Sequence, residues 1–329
     1  MDAGRLPVLA LDIGGTKLAV AVVTEDGQTH GLIVEPTRRQ EGPDVILRRL
    51  FEMGHRAIMS SGVGVGDVAA VGISCGGPLD SRAGILVNPL HLPGWIDIPI
   101  VDLAEREYGV PAVLANDATV AALAEFRYGA GRGTETMLYL TISTGIGGGA
   151  VINGRPHAGA AGNGGEFGHI LVESGGRPCL CGRFGCLEAY ASGTNIAVRA
   201  REAVASAGSR SSLADLPEIR AEHVSAAAAA GDALASQVWD ETTKLLAVAI
   251  TDLVNAIEPD LVVLGGGVTR SGRALIDPIR QAVLRDAMPP AAAAVQLELA
   301  ELGDVVCVVG AAAIAFDAAD AAATRGTVV

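Results

Sequence analysis

The chain repeats one local design. The segment LPVLALDIGGTKLAVAVV, beginning at Leu6, runs an apolar strand into a glycine turn and out again into a second apolar strand. TETMLYLTISTGIGGGAVING, beginning at Thr134, does the same. Each hairpin opens one half of the chain, and helix-like and strand-like patterns follow both. Two related α/β halves account for this echo. At 329 residues the chain is too long for one simple core, which agrees with two lobes. Half of the residues are hydrophobic but only 3% are aromatic, so the core has to be built from Ala, Val, Leu and Ile.

After the first hairpin, PDVILRRLFEMGHRAIMSSG has helical spacing and VAAVGISCGGP is a buried strand ending in a glycine turn. NPLHLPGWIDIP is a Pro-rich loop, VDLAEREYG a short helix, PAVLAND a strand and DATVAALAEFRYGAG a helix. After the second hairpin come a cysteine-rich loop, an Ala-rich helical region over about 188–256, and the strand and glycine turn PDLVVLGGGVT. A helix in LIDPIRQAVLRDAM, a strand in AVQLELAEL and a final helix in VVGAAAIAFDAADAA complete the pattern.

Several classes are disfavoured. The formal net charge is −13, so the chain lacks the positive field that a general nucleic-acid binder needs. TRRQ, at Thr37–Gln40, is a solvated face. In the most apolar stretch, from Lys244, Asp252, Asn255, Glu258, Pro259 and Asp260 interrupt the run well before the roughly 20 apolar residues that span a bilayer. The first residues lack a signal-peptide layout. A soluble cytoplasmic protein is expected. Of the five cysteines, Cys75 and Cys307 lie in apolar, strand-like runs and are expected to be inert, while Cys179, Cys181 and Cys186 are crowded together. That distribution argues against a disulfide framework.

The glycine turns expose backbone N–H groups that can approach an anion closely. In the first, Gly14 and Gly15 are joined by the hydroxyl of Thr16 and the cation of Lys17, and Asp12 can hold a metal ion or its water shell. In the second, Gly145, Gly147, Gly148 and Gly149 cluster after Thr144, and a third turn follows a strand at Gly265 and Gly266. DIGGTK fits neither the Walker A nor the dinucleotide pattern. One hairpin glycine is merely a turn former; three turns after three strands favour a phosphate cleft. Asn116 and Asp117 close a strand and open a helix. They suit a helix N-cap, and equally a carboxylate that accepts a proton from a substrate hydroxyl during phosphoryl transfer.

The cysteine loop is spaced His169-x9-Cys179-x-Cys181-x4-Cys186. One imidazole and three thiolates are the ligand set of a closed structural zinc site, with glycines supplying the turns. The C-x-x-C of a redox centre is absent, and metal-free thiols are the plainer alternative. Glu166 and Glu188 flank the loop. Such carboxylates usually signify nothing, but two clamped by a rigid loop beside a histidine form a hydroxyl-binding set.

LDIGGTK, ANDATVAALAE, STGIGGG, GEFGHILVESGGRPCLCGRFGCLEAYASG and LVVLGGGV, in this order and over nearly the whole chain, resemble the ROK family of bacterial sugar kinases. That family lies within the actin-like, hexokinase-type ATPase superfamily. The resemblance implies an α/β fold of two actin-like (ribonuclease H-like) lobes with an interlobe cleft and a structural zinc loop. The expected lobes are 1–116 with a C-terminal helix over 309–325, and 117–308. It implies Asp117 as catalytic base, and Gly77, Asn88, Asn116, Glu166, His169 and Glu188 beside it as sugar contacts. Asp12, Gly14, Gly15, Thr16 and Lys17 match the phosphate loop; Thr144, Gly145, Gly265 and Gly266 match ATP contacts; His169, Cys179, Cys181 and Cys186 match zinc ligands. The cofactors are then ATP, Mg²⁺ and structural Zn²⁺, the partners a small sugar and ATP without nucleic acid or membrane, and the assembly a homodimer or homotetramer. Many members read N-D-A-N where this chain has Thr119. Family repressors carry a winged helix before the first loop, and only eleven residues precede Asp12 here, which favours the kinases. NPLHLPGW resembles the loop of family glucokinases and favours phosphorylation of the glucose 6-hydroxyl. Kinases of N-acetylmannosamine, N-acetylglucosamine or fructose, polyphosphate as donor, a non-catalytic sugar sensor, and a zinc-ribbon interaction module are the alternatives.

Overall fold

A computed structural model describes residues 5–207 and 211–326. They divide between two compact units: 1–132 with 156–165 and 304–329, and 133–155 with 166–303.

The first unit is built on strands β1 (Val8–Ile13), β2 (Lys17–Val23), β3 (Thr29–Pro36), β4 (Val71–Cys75) and β7 (Ala112–Asn116), with a small ribbon of β5 (Leu79–Asp80) and β6 (Ile85–Leu86). The sheet order is β3-β2-β1-β4-β7. β1 runs antiparallel to β2 and parallel to β4, which is parallel to β7. All six residues of β1 are buried because both faces of the sheet are covered. Leu9, Leu11 and Ile13 pack with Ile46, Leu50 and Met53 of helix Pro43–Ser61. Val8 and Ala10 face the other way, toward Val308, Ala311, Ala312, Ala315 and Phe316 of helix Val306–Gly326.

That last helix lies in a stretch long and apolar enough to cross a membrane. Its buried apolar residues instead form the second core of this sheet. The packing is close: a β-carbon on Gly72 of β4 would stand 1.8 Å from the Ala311 carbonyl oxygen, and one on Gly310 would stand 2.0 Å from that of Val120. Small residues are what this interface requires, which accounts for the alanine-rich, aromatic-poor composition.

Two expectations need correction. Helix Asp117–Tyr128 belongs to the first unit and does not open the second. Arg127 ties it to the last helix, donating to the Ala313 carbonyl at 3.1 Å and pairing with Asp317 at 2.8 Å. Cys307 lies in that last helix, not in a strand.

The second unit repeats the scheme. Strands β8 (Met137–Ile142), β9 (Ile146–Ile152), β10 (Arg155–Pro156), β11 (Leu261–Gly265) and β12 (Gln296–Leu299) are ordered β10-β9-β8-β11-β12. β8 is antiparallel to β9 and parallel to β11, and β11 is parallel to β12. Thus β9-β8-β11-β12 reproduces β2-β1-β4-β7 in order and direction. Helices Gly193–Ala207, Ala233–Ile257 and Arg273–Asp286 supply most of its helical packing.

Candidate functional site

The first glycine turn closes β1 onto β2. Gly14 donates its N–H to the Lys17 carbonyl at 3.0 Å, and a side chain at Gly14 would meet that same oxygen at 2.8 Å. Thr37 braces the turn from outside: its hydroxyl donates to the Gly14 carbonyl at 2.6 Å and its N–H to that of Thr16 at 3.0 Å. Thr16 is exposed, and Lys17 Nζ reaches the Asp304 carbonyl at 3.4 Å. Asp12 is only 7% exposed, and its carboxylate accepts from the Ser74 hydroxyl at 2.8 Å. Burial pushes the Asp12 carboxyl up to about 7; the Ser74 bond opposes this, the charge of Asp117 adds to it, and Lys17 opposes it.

Asn116 ends β7. Its side-chain oxygen accepts from the N–H groups of Ala118 at 2.9 Å and Thr119 at 3.3 Å, so it is the N-cap of helix Asp117–Tyr128. The cap occupies the oxygen and leaves the amide nitrogen for a ligand. A β-carbon on Gly77 would lie 3.7 Å from that nitrogen and 3.3 Å from Asn163 Oδ1. Asp117 Oδ1 accepts from the Ala118 N–H at 2.8 Å. Burial raises the Asp117 carboxyl above the usual range, and the backbone N–H and then His91 draw it back. Asn88 is exposed beyond β6, with its N–H 3.4 Å from the Pro78 carbonyl. Two neighbours went unnoticed in the sequence. Asn163 is the one amide between the glycines of AAGNGGEFGH, and His91 is the one imidazole in the Pro-rich loop.

In the second unit His169, Cys179, Cys181 and Cys186 bring four donor atoms within 4.8 Å of one another. His169 Nδ1 is 3.6 Å from Cys179 Sγ, and the sulfurs of Cys181 and Cys186 are 3.7 Å apart. Tetrahedral Zn²⁺ with its ordinary bond lengths spaces such donors at about 3.6 and about 3.8 Å. The donor set therefore fits zinc in chemistry and in size. Isolated bridges Leu171–Cys186 and Pro178–Phe184 fold the loop back, with Gly182 at φ 87° and Gly185 at φ 84°. Burial holds the Cys179 thiol above its usual range and pushes Cys186 up to about 12, while the Arg183 N–H lowers exposed Cys181. A bound cation would hold all three as thiolates.

The second ring nitrogen, His169 Nε2, faces away from the sulfurs and lies 3.8 Å from Glu166 Oε2. Glu188 follows the last cysteine by two residues and accepts from the Ile146 N–H at 2.9 Å. A β-carbon on Gly145 would stand 2.6 Å from the same carboxylate oxygen. The loop's end is thus fastened to the β8–β9 turn.

A cavity of about 770 Å³ opens beside that turn. Ser143 and Thr144, the helix start at Gly193 and Thr194, and the turn at Gly267 and Val268 line it, with Trp239, Arg201, Arg220 and Arg270 on its walls. Gly145, Gly265 and Gly266 are not lining residues. Gly265 packs under the Tyr139 hydroxyl, and Gly266 adopts φ 89° against the Ile142 carbonyl. They shape turns whose neighbours, Thr144 and Gly267, reach the space.

The model of the ROK family matches residues 8–318. The chain belongs to the ROK family. Among its ROK relatives, a glucokinase of Halalkalibacterium halodurans is 35% identical over 92% of both chains. An N-acetylmannosamine kinase of Escherichia coli O139:H28 is 35% identical over 80% of this chain and 84% of its own. A ROK glucokinase from Streptomyces griseus, solved with glucose and AMPPNP, is 31% identical with a TM-score of 0.78, covering 94% of this chain and 99% of that one.

Proposed function

We propose that this ROK protein is an ATP-dependent hexose kinase that phosphorylates the 6-hydroxyl of glucose. The observation that carries the reading is Asp117: a carboxylate at the C-terminal end of β7, raised by burial, with the Asn116 amide beside it. A raised, oriented carboxylate is what a general base for a sugar hydroxyl requires. Asp117 takes the 6-hydroxyl proton as the oxygen forms its bond to the γ-phosphorus. The bond from that phosphorus to the β–γ bridging oxygen breaks, and ADP leaves. Asp12 would hold the water shell of a nucleotide-bound Mg²⁺, which would neutralise phosphate charge, and the N–H groups of Gly15 and Thr16 would face the phosphates.

Asn116, Gly77, Asn88, Asn163, Glu166, His169 and Glu188 are the proposed sugar contacts. The nucleotide's base and ribose take the cavity bounded by Thr144 and Gly267. His169, Cys179, Cys181 and Cys186 would supply all four ligands of a structural Zn²⁺, which would hold the His169 ring with Nε2 free for the sugar and supply no reactive water.

The E. coli relative supports a second reading, N-acetylmannosamine as acceptor. An ADP-release assay over glucose, mannose, fructose, N-acetylglucosamine and N-acetylmannosamine, with ATP and polyphosphate compared as donors, decides. Glucose is expected to give the highest kcat/KM with ATP. Preference for an N-acetylated hexose overturns the glucose assignment, and no ADP release with any sugar overturns the kinase.

A further inference from the structure

His91 sits where the first glycine turn, the end of β4 and Asp117 meet. Its Nε2 is 3.4 Å from the Ile13 carbonyl oxygen and 3.9 Å from Cys75 Sγ. A β-carbon on Gly15 would lie 3.0 Å from its Cβ, so the side chain rests on the phosphate turn. On the other edge, a β-carbon on Gly76 would meet the ring at Cε1 (2.5 Å) and Nδ1 (2.9 Å), and Asp117 Oδ2 at 3.5 Å. The ring and the carboxylate therefore border the same small space, which is open because residue 76 has no side chain. The ring is half-buried.

The hydrogen-bonding options follow from this placement. The Ile13 carbonyl accepts only, so Nε2 is the donor toward it and carries a proton. Nδ1 is left on the Asp117 side, facing the carboxylate across the space at Gly76 without a direct hydrogen bond to it. We propose that His91 is a positioning residue for Asp117: from across the Gly76 space its ring favours the ionised carboxylate and ties the base to the phosphate turn. His91 is thereby coupled to the acceptor and donor ends of the reaction without touching the transferred group. This deepens the kinase reading and rests on it for its kinetic consequences, but the coupling itself does not depend on activity.

The electrostatic setting gives the pair a reason. Asp117, Asp12, Cys75 and Cys307 are acidic groups around it, and Lys17 is a fixed cation acting on Asp12 and Cys307. Burial disfavours charge on both carboxylates, and Asp117 drives Asp12 further up. His91 is a cationic influence on Asp117, opposing its burial. An imidazole changes charge on the acid side of neutrality, where a carboxylate raised by burial would otherwise stop serving as a base.

Two measurements on the full-length protein test this. The first follows the ¹³Cε1–H resonance of His91, assigned by its loss in His91→Gln, across pH in wild type, Asp117→Asn and Lys17→Met. Removing the Asp117 carboxylate is expected to change the His91 resonance and its pH dependence, and by more than Lys17→Met does. An unchanged resonance and pH dependence in Asp117→Asn overturn the coupling whether or not the protein phosphorylates any sugar. The second compares kcat and KM of His91→Gln and His91→Asn with wild type over pH 5–9, with nucleotide binding confirming that each variant is folded. The acid limb of the kcat profile should move to higher pH and kcat should fall about tenfold, with KM for sugar and ATP changed less than twofold. A rise in KM alone, with the acid limb in place, makes His91 a binding residue and overturns the proposal. An inactive wild type refutes the kinase and leaves the resonance shift to decide on His91.

Discussion

The two glycine hairpins share their surroundings and differ in their chemistry. β1 and β8 occupy the same place in sheets of the same order, each antiparallel to the next strand and parallel to a later one. One residue before the end of β1 stands buried Asp12; one residue before the end of β8 stands Thr141. Between its last paired residues, Ile13 and Leu18, the first hairpin closes over four residues, Gly14–Lys17, and carries a cation. The second closes over three, Ser143–Gly145, and borrows its charges from elsewhere: Glu188 on one side, arginines of the adjoining cavity on the other. The first unit thus concentrates its chemistry in buried acids at strand ends. The second distributes it over a histidine–cysteine loop and a cavity. A repeated sheet supplies equivalent positions at the C-terminal ends of parallel strands, and the residues placed there decide the role.

The sharpest way to break this division is at Asp117. Asp117→Asn is expected to lower kcat about 10³-fold while sugar and nucleotide affinity stay within a few-fold. Near-normal turnover by a folded variant moves the base elsewhere. The second unit is probed at its histidine–cysteine cluster: Cys181→Ser, or a strong chelator, is expected to raise KM for sugar about 10- to 100-fold by freeing the His169 ring and Glu166. Nucleotide affinity, read separately by equilibrium binding, should not change, because the cavity residues lie outside the loop. Loss of both affinities together would mean that the loop supports the whole unit.

A third test uses pH. Asp12 is raised to about 7, above its ordinary value of 3.8, so between these values the folded protein binds a proton that the unfolded chain has released. Stability from this group is therefore lost as pH rises through that window. Asp12→Asn keeps the acceptor for Ser74 and removes the charge. Urea denaturation should find it equal to wild type near pH 4 and more stable by on the order of 2–4 kcal/mol at pH 8. A difference that is constant with pH would mean Asp12 is not forced up by burial. The smallest effect is at Thr119, whose hydroxyl is buried and has no hydrogen-bond partner among the described residues. Thr119→Val is expected to add about 1 kcal/mol by removing an unsatisfied polar group; a loss of stability would show that the hydroxyl is satisfied in solution.

Much of this was legible in the sequence because the signals are local. The hairpins announce themselves through glycines between apolar strands, and the metal set through four donors within eighteen positions. The Asn116 cap and the Asp117 carboxylate were both readable from one dipeptide, and both roles are compatible in the structure because the cap uses only one end of the amide. What escaped reading depends on distant segments. Helix Asp117–Tyr128 looks like the start of a second half, yet its partner is a helix nearly two hundred residues later, held by Arg127 and by the missing side chain of Gly310. His91 and Asn163 have no motif of their own; each matters through what the fold sets beside it. Cys307 looks strand-like because a run of valines does not reveal its period.

By itself, then, the sequence determined the paired α/β design, the acid at the end of β7 and the composition of the cysteine loop, since each is fixed by residue type and short spacing. Only the tertiary structure decided which helix joins which sheet, that burial drives Asp12 and Asp117 from their ordinary charge states, and that His91 stands between the first glycine turn and Asp117. Burial and electrostatic coupling belong to the assembled fold, and no local pattern encodes them.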